Sequence, residues 1–315
     1  MKRILVTGAS GQVGSDLVAT LRERYGGGNV LATDIREPDK DVMAGGPFEF
    51  VDCTDHAVVD QAVVRFKADT IFHLAAILSA VGEADPHRAY EVNLGGLENT
   101  LDVARVRECA VFIPSSIAAF GPSTPPDPTP QVTIQRPTTI YGVTKVAGEL
   151  LADYFHVRFG VDTRGVRYPG LISWATEPGG GTTDYAVEIF YEALRNGRYT
   201  CFLRHDTQLD MMYMPDAIKA SVEVMEADPS RLVNRNAFNI TAMQFTPDEL
   251  AEAIRKHIPD FVMEYEVDPL RQKIADSWPK RLDDSAAREE WDWEPEYDLE
   301  TMVEEMLENL GKKLA

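Results

Sequence analysis

The stretch Thr7-Gly8-Ala9-Ser10-Gly11-Gln12-Val13-Gly14 lies between a short apolar run, Ile4-Leu5-Val6, and a segment carrying Val13, Leu17, Val18 and Leu21 at helical spacing. A strand that runs through glycines straight into a helix restricts the fold more than any other feature of this chain. The pattern then repeats. Val30–Thr33, Phe48–Val51, Thr70–Leu74 and Val111–Pro114 read as further strands, with helices around 55–67 and 86–107 between them. These runs are continuously apolar rather than alternating, as strands covered on both faces must be. Repeated strand–helix units with right-handed crossovers build a doubly wound parallel sheet, so the expected fold class is α/β.

Beyond residue 121 the rhythm loosens. The Pro-rich segment Pro122–Pro137 is too long for an ordinary connection and is expected as a lid or a mobile loop. A helix from about Thr139 to Phe159 and a strand at Thr163–Arg167 follow. Pro178-Gly179-Gly180-Gly181 is a strong breaker, after which Thr182 or Thr183 is expected to cap a helix through Leu194. Short strands are expected near Thr200–Leu203 and Phe238–Ile240. Thr246-Pro247-Asp248-Glu249 has the capping-box order and opens a helix to about His257, and Asp298–Leu310 reads as a last amphipathic helix. The expected division is a larger unit over 1–172, to which 211–241 returns, and a smaller α/β unit over 173–210 and 242–315.

Charge and cysteine usage remove several function classes. Against 31 Lys and Arg stand 51 Asp and Glu, a net charge of −20, with no dense basic cluster. Such a surface repels a phosphate backbone, so no nucleic-acid partner is expected and the charge reads as a solubility feature. Cys53, Cys109 and Cys201 fit no ligand spacing and the six histidines are scattered, so neither a disulfide framework nor a metal is expected. The first apolar run is too short for a signal peptide, and no stretch reaches the roughly 18 apolar residues that span a bilayer. The expectation is a cytoplasmic protein without a membrane partner.

The glycine turn sits where a diphosphate binds. Gly8 permits the tight turn, Gly11 lets a diphosphate approach the backbone, and Gly14 lets the helix pack close to the sheet. Asp34 closes the second strand roughly 20 residues further on, where a carboxylate bonds adenosine ribose hydroxyls and repels the extra phosphate of NADP. NAD is therefore the expected cofactor, a preference that nearby Arg36 weakens slightly. Asp52 reads equally as an adenine partner and as a cap for the helix that follows.

Tyr141 and Lys145 stand four apart, so on a helix they share one face. An ammonium beside a phenol favours the phenolate, which can take a proton from a substrate hydroxyl. Ser115 and Ser116 follow the fifth strand at its carboxyl end, where α/β sheets place their ligands, and Ser116 is the residue to orient the reacting oxygen.

Taken as a set, Gly8-x-x-Gly11-x-x-Gly14, His73-Leu74-Ala75-Ala76, Asn93, Ser115-Ser116, Tyr141-x-x-x-Lys145 and Arg167-Tyr168-Pro169-Gly170 resemble the extended short-chain dehydrogenase/reductase superfamily. That resemblance implies a Rossmann-type domain with a smaller α/β substrate-binding domain, and a Ser116–Tyr141–Lys145 triad. It puts the cofactor against Gly8, Gly11, Gln12, Val13, Gly14, Asp34, Ile35, Arg36, Asp52, Leu74, Ala75, Ala76, Asn93, Ser115, Tyr141, Lys145, Tyr168 and Pro169. In the second half, residues 178–186, Met211-Met212-Tyr213-Met214-Pro215-Asp216-Ala217, Asp276-Ser277-Trp278-Pro279 and Asp283-Asp284-Ser285-Ala286-Ala287-Arg288 resemble the epimerase-like, NAD-dependent L-threonine 3-dehydrogenases.

That family oxidises the β-hydroxyl of L-threonine to 2-amino-3-ketobutyrate in threonine catabolism. The expected substrate contacts are Ser79, Ser116, Tyr141, Thr183, Asp184 and Trp278. Phe120 replaces a tyrosine common in sugar-epimerase relatives. The alternative is a nucleotide-sugar 4-epimerase or dehydratase on the same triad, with Arg167 and Arg204 holding a diphosphate; a non-catalytic NAD sensor is a third reading. Relatives of this kind usually form homodimers through two helices, here those near 86–107 and 141–159.

Overall fold

The computed structural model describes residues 1–38, 40, 44–175 and 181–314. Among them, the strands β1 (Ile4–Thr7), β2 (Val30–Asp34), β3 (Phe48–Phe50), β4 (Thr70–His73) and β5 (Ala110–Phe112) are parallel. The short β6 (Ser115–Ser116) leaves this sheet, and β7 (Thr163–Arg164) completes it in the order β3-β2-β1-β4-β5-β7. Every residue of β1, β2 and β4 is buried, as a sheet covered on both faces requires. Strand alternation divides the core in two. Ile4, Val6 and Val30 face Leu17, Val18 and Leu21 of the helix Gln12–Tyr25. Leu5, Leu31 and Ile71 face Val59 and Val63 of the helix His56–Phe66 and Leu97 and Leu101 of the helix Gly96–Arg107. The α/β doubly wound architecture is thus the one its sequence rhythm demands.

Two expected strands are broken, and the breaks build the site. Val111–Pro114 stops at Phe112, because Pro114 has no N–H to give a central ladder. Thr163–Arg167 divides at Gly165, where a Cβ would lie 2.2 Å from the Ile113 carbonyl oxygen. The remaining strands are β8 (Val166–Tyr168), β9 (Gly170–Ile172), β10 (Arg198–Cys201), β11 (Leu209–Tyr213), β12 (Phe238–Asn239), β13 (Met243–Phe245) and β14 (Val262–Tyr265). The chain after each break enters a small sheet, β12-β8-β6, which carries Ser116 and Arg167 off the edge of the main sheet.

The single helix expected over 86–107 is three pieces, Pro86–Tyr90, a π-turn at Glu91–Gly95 and Gly96–Arg107, and a separate helix Ser79–Ala84 precedes them. Gly96 packs on Cys53, whose Sγ would stand 2.6 Å from a Cβ there. The helix Ile140–Phe159 begins as expected, with the Thr139 hydroxyl accepting from Gly142 N–H at 3.1 Å.

A second core gathers Tyr185, Phe190, Leu250, Ile254, Met302 and Met306 from the helices Tyr185–Asn196, Pro247–Arg255 and Leu299–Leu314. The capping box at Thr246 and Glu249 is complete. The expected cap at Thr182 or Thr183 is not found: Asp184 occupies the cap position and its carboxylate accepts from Gly181 N–H at 2.7 Å. Pro178, Gly179 and Gly180 lie outside the described residues. The strand expected at Thr200–Leu203 starts two residues earlier as β10 and pairs with β14, which sequence reading missed because its exposed alternation is weakly apolar.

Pro122–Pro137 is a strap rather than a free lid. Thr129 N–H donates to the Arg281 carbonyl at 2.9 Å, and Asp283 N–H donates to the Thr129 carbonyl at 2.9 Å. Gln131 exchanges bonds with Ala237 and Asn239. Prolines suit this role, since they remove backbone entropy from an extended segment that side chains then fix. Among the described residues no helix is long and apolar enough to cross a membrane.

The segment following the strap's contact is fixed by a buried acid. Asp210 of β11 accepts from the Thr241 hydroxyl at 2.6 Å, from the Gln244 amide at 3.1 Å and from Leu282 N–H at 2.7 Å. Burial pushes its carboxyl up to about 7, against the pull of these bonds. The folded state therefore holds a proton that the unfolded chain has released above about pH 4. Its contribution to stability is complete at low pH and is lost as pH rises through 7. In thermal melts followed by circular dichroism, wild type should lose stability relative to Asp210→Asn between pH 5 and pH 8. A difference constant across that range would remove this assignment.

Candidate active site

The glycine turn is fixed by close backbone contacts. Gly8 has φ +70°, and a Cβ on it would meet Ala75 N at 2.7 Å and the Leu74 carbonyl carbon at 2.8 Å. At Gly14 a Cβ would lie 2.2 Å from the Gly8 carbonyl oxygen. The helix starts at Gln12 behind Gly11 without a side-chain cap, so the first-turn N–H groups of Gln12 and Val13 face outward at its positive end. This bare, uncapped turn fits a diphosphate. Asp34 stands beside it at the end of β2. Its carboxylate accepts from Ser10 N–H and Arg36 N–H, both at 3.0 Å, which leaves acceptor capacity for ribose hydroxyls. Ile35 and Arg36 are exposed next to it.

Asp52 does not cap the next helix. Asp55 does so, accepting from Ala57 and Val58 N–H, while Asp52 accepts from the Thr54 hydroxyl and N–H. Those bonds hold the Asp52 carboxyl below its ordinary range.

Leu74, Ala75 and Ala76 leave β4 directly against Gly8, and His73 beneath them is buried. The His73 Nδ1 lies 3.1 Å from the Thr7 hydroxyl and 3.0 Å from that of Thr100. Burial, and then the Lys145 charge, push its pKa down to about 3, so the ring is neutral. Asn93 projects from the π-turn and clamps Ile77, accepting from its N–H at 2.7 Å and donating to its carbonyl at 3.0 Å. Its amide also donates to the Thr144 hydroxyl at 3.2 Å. With both amide hydrogens used, Asn93 positions the Leu74–Ile77 wall rather than offering donors of its own.

Ser116, Tyr141 and Lys145 converge at the carboxyl end of the sheet. The Ser116 hydroxyl stands close enough to the Tyr141 phenol to favour its ionised form and accepts from Ala118 N–H at 3.2 Å. Lys145 Nζ donates to the Pro114 carbonyl at 2.7 Å and lies 5.4 Å from the Tyr141 ring centre. Burial pushes the Lys145 ammonium down to about 8, with Glu149 opposing. The expected lowering of the Tyr141 phenol by Lys145 is not found in the protein alone. Desolvation pushes it up to about 12, and the Ser116 hydroxyl only partly offsets this. The lysine's strongest bond goes to a carbonyl, not to the phenol.

Other residues fall elsewhere than expected. Ser115 points away from the groove and donates to buried Glu149. The Tyr168 hydroxyl pairs with Ser221 in the main core, so its side chain turns away from the site. Arg167 is buried against Glu149, at 3.0 and 2.8 Å, with its guanidinium 5.0 Å from the Phe120 ring centre. Arg204 is held at the surface by Asp276 and Asp206.

Ser79 opens the helix Ser79–Ala84, whose Glu83 accepts from Ile140 N–H at 2.7 Å, next to Tyr141. Thr183 packs against Gly170. Trp278 packs on Ile117, Phe120 and Leu282, just beyond Ser116. Glu149 was missed from sequence, although its spacing from Lys145 repeats that of Lys145 from Tyr141.

The match to known proteins covers the whole chain. A model described as the NAD dependent epimerase/dehydratase family fits residues 4–241. An uncharacterized epimerase/dehydratase of Staphylococcus saprophyticus is 56% identical over 317 residues, covering 100% of this chain and 99% of the relative. The L-threonine dehydrogenase structure of Clostridium difficile is 55% identical with a TM-score of 0.98, covering 99% and 98% of the two chains. A holo form of the GalE-like L-threonine dehydrogenase of Cupriavidus necator is 48% identical with a TM-score of 0.95, covering 98% and 99%. The cofactor is NAD, and the uncapped glycine turn beside Asp34 is built to receive it. With a Rossmann-type sheet, this turn and a Ser–Tyr–Lys cluster at one sheet edge, the chain belongs to the NAD-dependent epimerase/dehydratase family.

Proposed function

We propose that the protein is an L-threonine 3-dehydrogenase that oxidises the threonine 3-hydroxyl to 2-amino-3-ketobutyrate. The observation that carries this reading is the likeness to L-threonine dehydrogenases over the substrate-binding half as well as the NAD-binding half. NAD, when bound, accepts the hydride that leaves C3. Tyr141 takes the hydroxyl proton, and Ser116 bonds the same oxygen. Lys145 supplies the positive charge that an ionised Tyr141 needs in a buried setting. Ser79, Thr183 and Asp184 border the space for the amino acid's charged groups, and Trp278 covers it.

Tyr141→Phe should lower kcat for L-threonine by about 100-fold or more, the usual size of a lost general base, while NAD affinity read by tryptophan fluorescence stays nearly constant. Full activity in that variant would sink the assignment. UDP-galactose and UDP-glucose belong in parallel wells, since conversion of a sugar nucleotide without threonine-dependent NADH would replace the reading with the epimerase one. Asp34→Ala should weaken NAD and narrow the preference over NADP; an unchanged NAD/NADP ratio of kcat/KM would take that role from Asp34.

We also propose a homodimer. Val143, Leu150, Tyr154 and Val157 form one exposed apolar stripe on the helix Ile140–Phe159, beside exposed Tyr90 and Val106. A stripe of this kind is what two copies bury across a twofold axis. Light scattering should give twice the chain mass for wild type and a shift toward monomer for Leu150→Glu with Val157→Glu. A monomeric wild type would end this proposal.

A further inference from the structure

The helix that carries Tyr141 and Lys145 brings a third polar side chain onto the same face one turn later. Glu149 is buried, and four donors converge on its carboxylate. Arg167 gives Nε at 3.0 Å and an η N–H at 2.8 Å, Gln135 gives its amide at 2.7 Å, and Ser115 gives its hydroxyl. A protonated acid would add a donor where four already point, so the surroundings require the ionised form. Lys145 and Glu149 line the same cavity, and among the described residues Glu149 is the one acid that lines it.

The groups facing Lys145 come from each neighbouring element. Its own helix supplies Tyr141 and Glu149, β4 supplies neutral His73, and β6 supplies Ser115. Arg167 reaches the carboxylate from β8. A buried ammonium on a neutral carbonyl needs a counter-charge to stay ionised, and Glu149 is the residue placed to give it.

We propose that Glu149 is a positioning residue for the active site: a carboxylate locked by Arg167, Ser115 and Gln135 that keeps the Lys145 ammonium charged on the Pro114 carbonyl. The pair is more than a structural tie, because Ser115 adjoins Ser116 and Lys145 adjoins Tyr141, so one carboxylate steadies both sides of the reacting oxygen. Burial already brings the ammonium down to about 8, which leaves its charge at neutral pH dependent on this neighbour.

The test reads the lysine directly. Protein labelled with 13C at the lysine ε carbon is titrated by NMR without cofactor, and the resonance missing from Lys145→Arg is that of Lys145. In Glu149→Gln its midpoint should fall about one pH unit, and in Glu149→Asp, which retracts the same charge by one methylene, it should fall less. An unchanged midpoint in Glu149→Gln overturns the proposal. If that variant does not fold, as judged by circular dichroism, the Glu149→Asp titration decides, and no shift there overturns it.

A kinetic arm rests on the dehydrogenase reading. The alkaline fall of kcat/KM for L-threonine should begin about one pH unit lower in Glu149→Gln, a loss of about tenfold at pH 9 and little at pH 6. Glu149→Asp should restore most of it, whereas an equal loss at every pH marks a merely structural acid. Wild type that does not turn over threonine defeats the proposed function but leaves the titration to decide on Glu149.

Discussion

At Gly8 and Gly14 three stretches of backbone meet with no room for a side chain. The end of β1, the start of the first helix and the exit of β4 at Leu74–Ala75 touch there directly, carbonyl against Cα. That contact fixes the height of the helix end above the sheet and the direction in which Leu74–Ile77 departs. Asn93 then holds the departing segment from the other side through both polar groups of Ile77. The groove is therefore defined by backbone packing, which is stiff, and not by long side chains, which are not. A site that must place two reacting atoms within a few tenths of an ångström benefits from that stiffness.

How far the sequence disclosed this arrangement depends on the range of the forces involved. Apolar runs such as Ile4–Val6 and Thr70–Leu74 are local signals, and the main sheet follows from them. Gly8, Gly14, Asp34, Tyr141 and Lys145 were legible because each sits at a fixed spacing from a strand or a helix turn. Interactions between distant segments were not. Nothing near Pro122–Pro137 announces that Thr129 and Gln131 bond to residues some hundred or more positions away, so a fixed strap read as a lid. Arg167 and Tyr168 have the composition of ligand contacts, yet their partners, Glu149 and Ser221, come from other helices and turn both side chains inward. The π-turn at Glu91–Gly95 escaped because a single added residue hardly disturbs helical periodicity.

The buried Arg167–Glu149 pair is where the two halves of the chain meet the helix Ile140–Phe159. Arg167 also donates to the Gln131 carbonyl at 2.9 Å and to Asn239 at 3.0 Å, and Gln135 reaches Glu149 from the strap. The strap is bonded in turn to Arg281 and Asp283, beside Trp278 and Leu282. A continuous set of hydrogen bonds thus runs from the second half of the chain to Glu149. Breaking one partner of a buried pair of this kind costs about 3–5 kcal/mol, since the other is left charged in the interior. The network holds Ser116 and Tyr141 in one geometry because it is expensive to disturb.

The same commitments bear on which substrate the pocket suits. A sugar nucleotide brings a second diphosphate, and its charge needs cations that can turn toward it. Arg167 is locked on Glu149 beneath the Phe120 turn, Arg204 is held by Asp276 and Asp206, and Lys145 is bound to the Pro114 carbonyl. A zwitterion makes a smaller demand. Its carboxylate can be met by hydroxyls and N–H groups such as those at Ser79 and Thr183, and its ammonium by an acid, so that its two charges need no excess of either sign. The two arginines that a sugar nucleotide's diphosphate would call on, Arg167 and Arg204, both face acids instead, which is in keeping with the proposed small substrate that carries both charges.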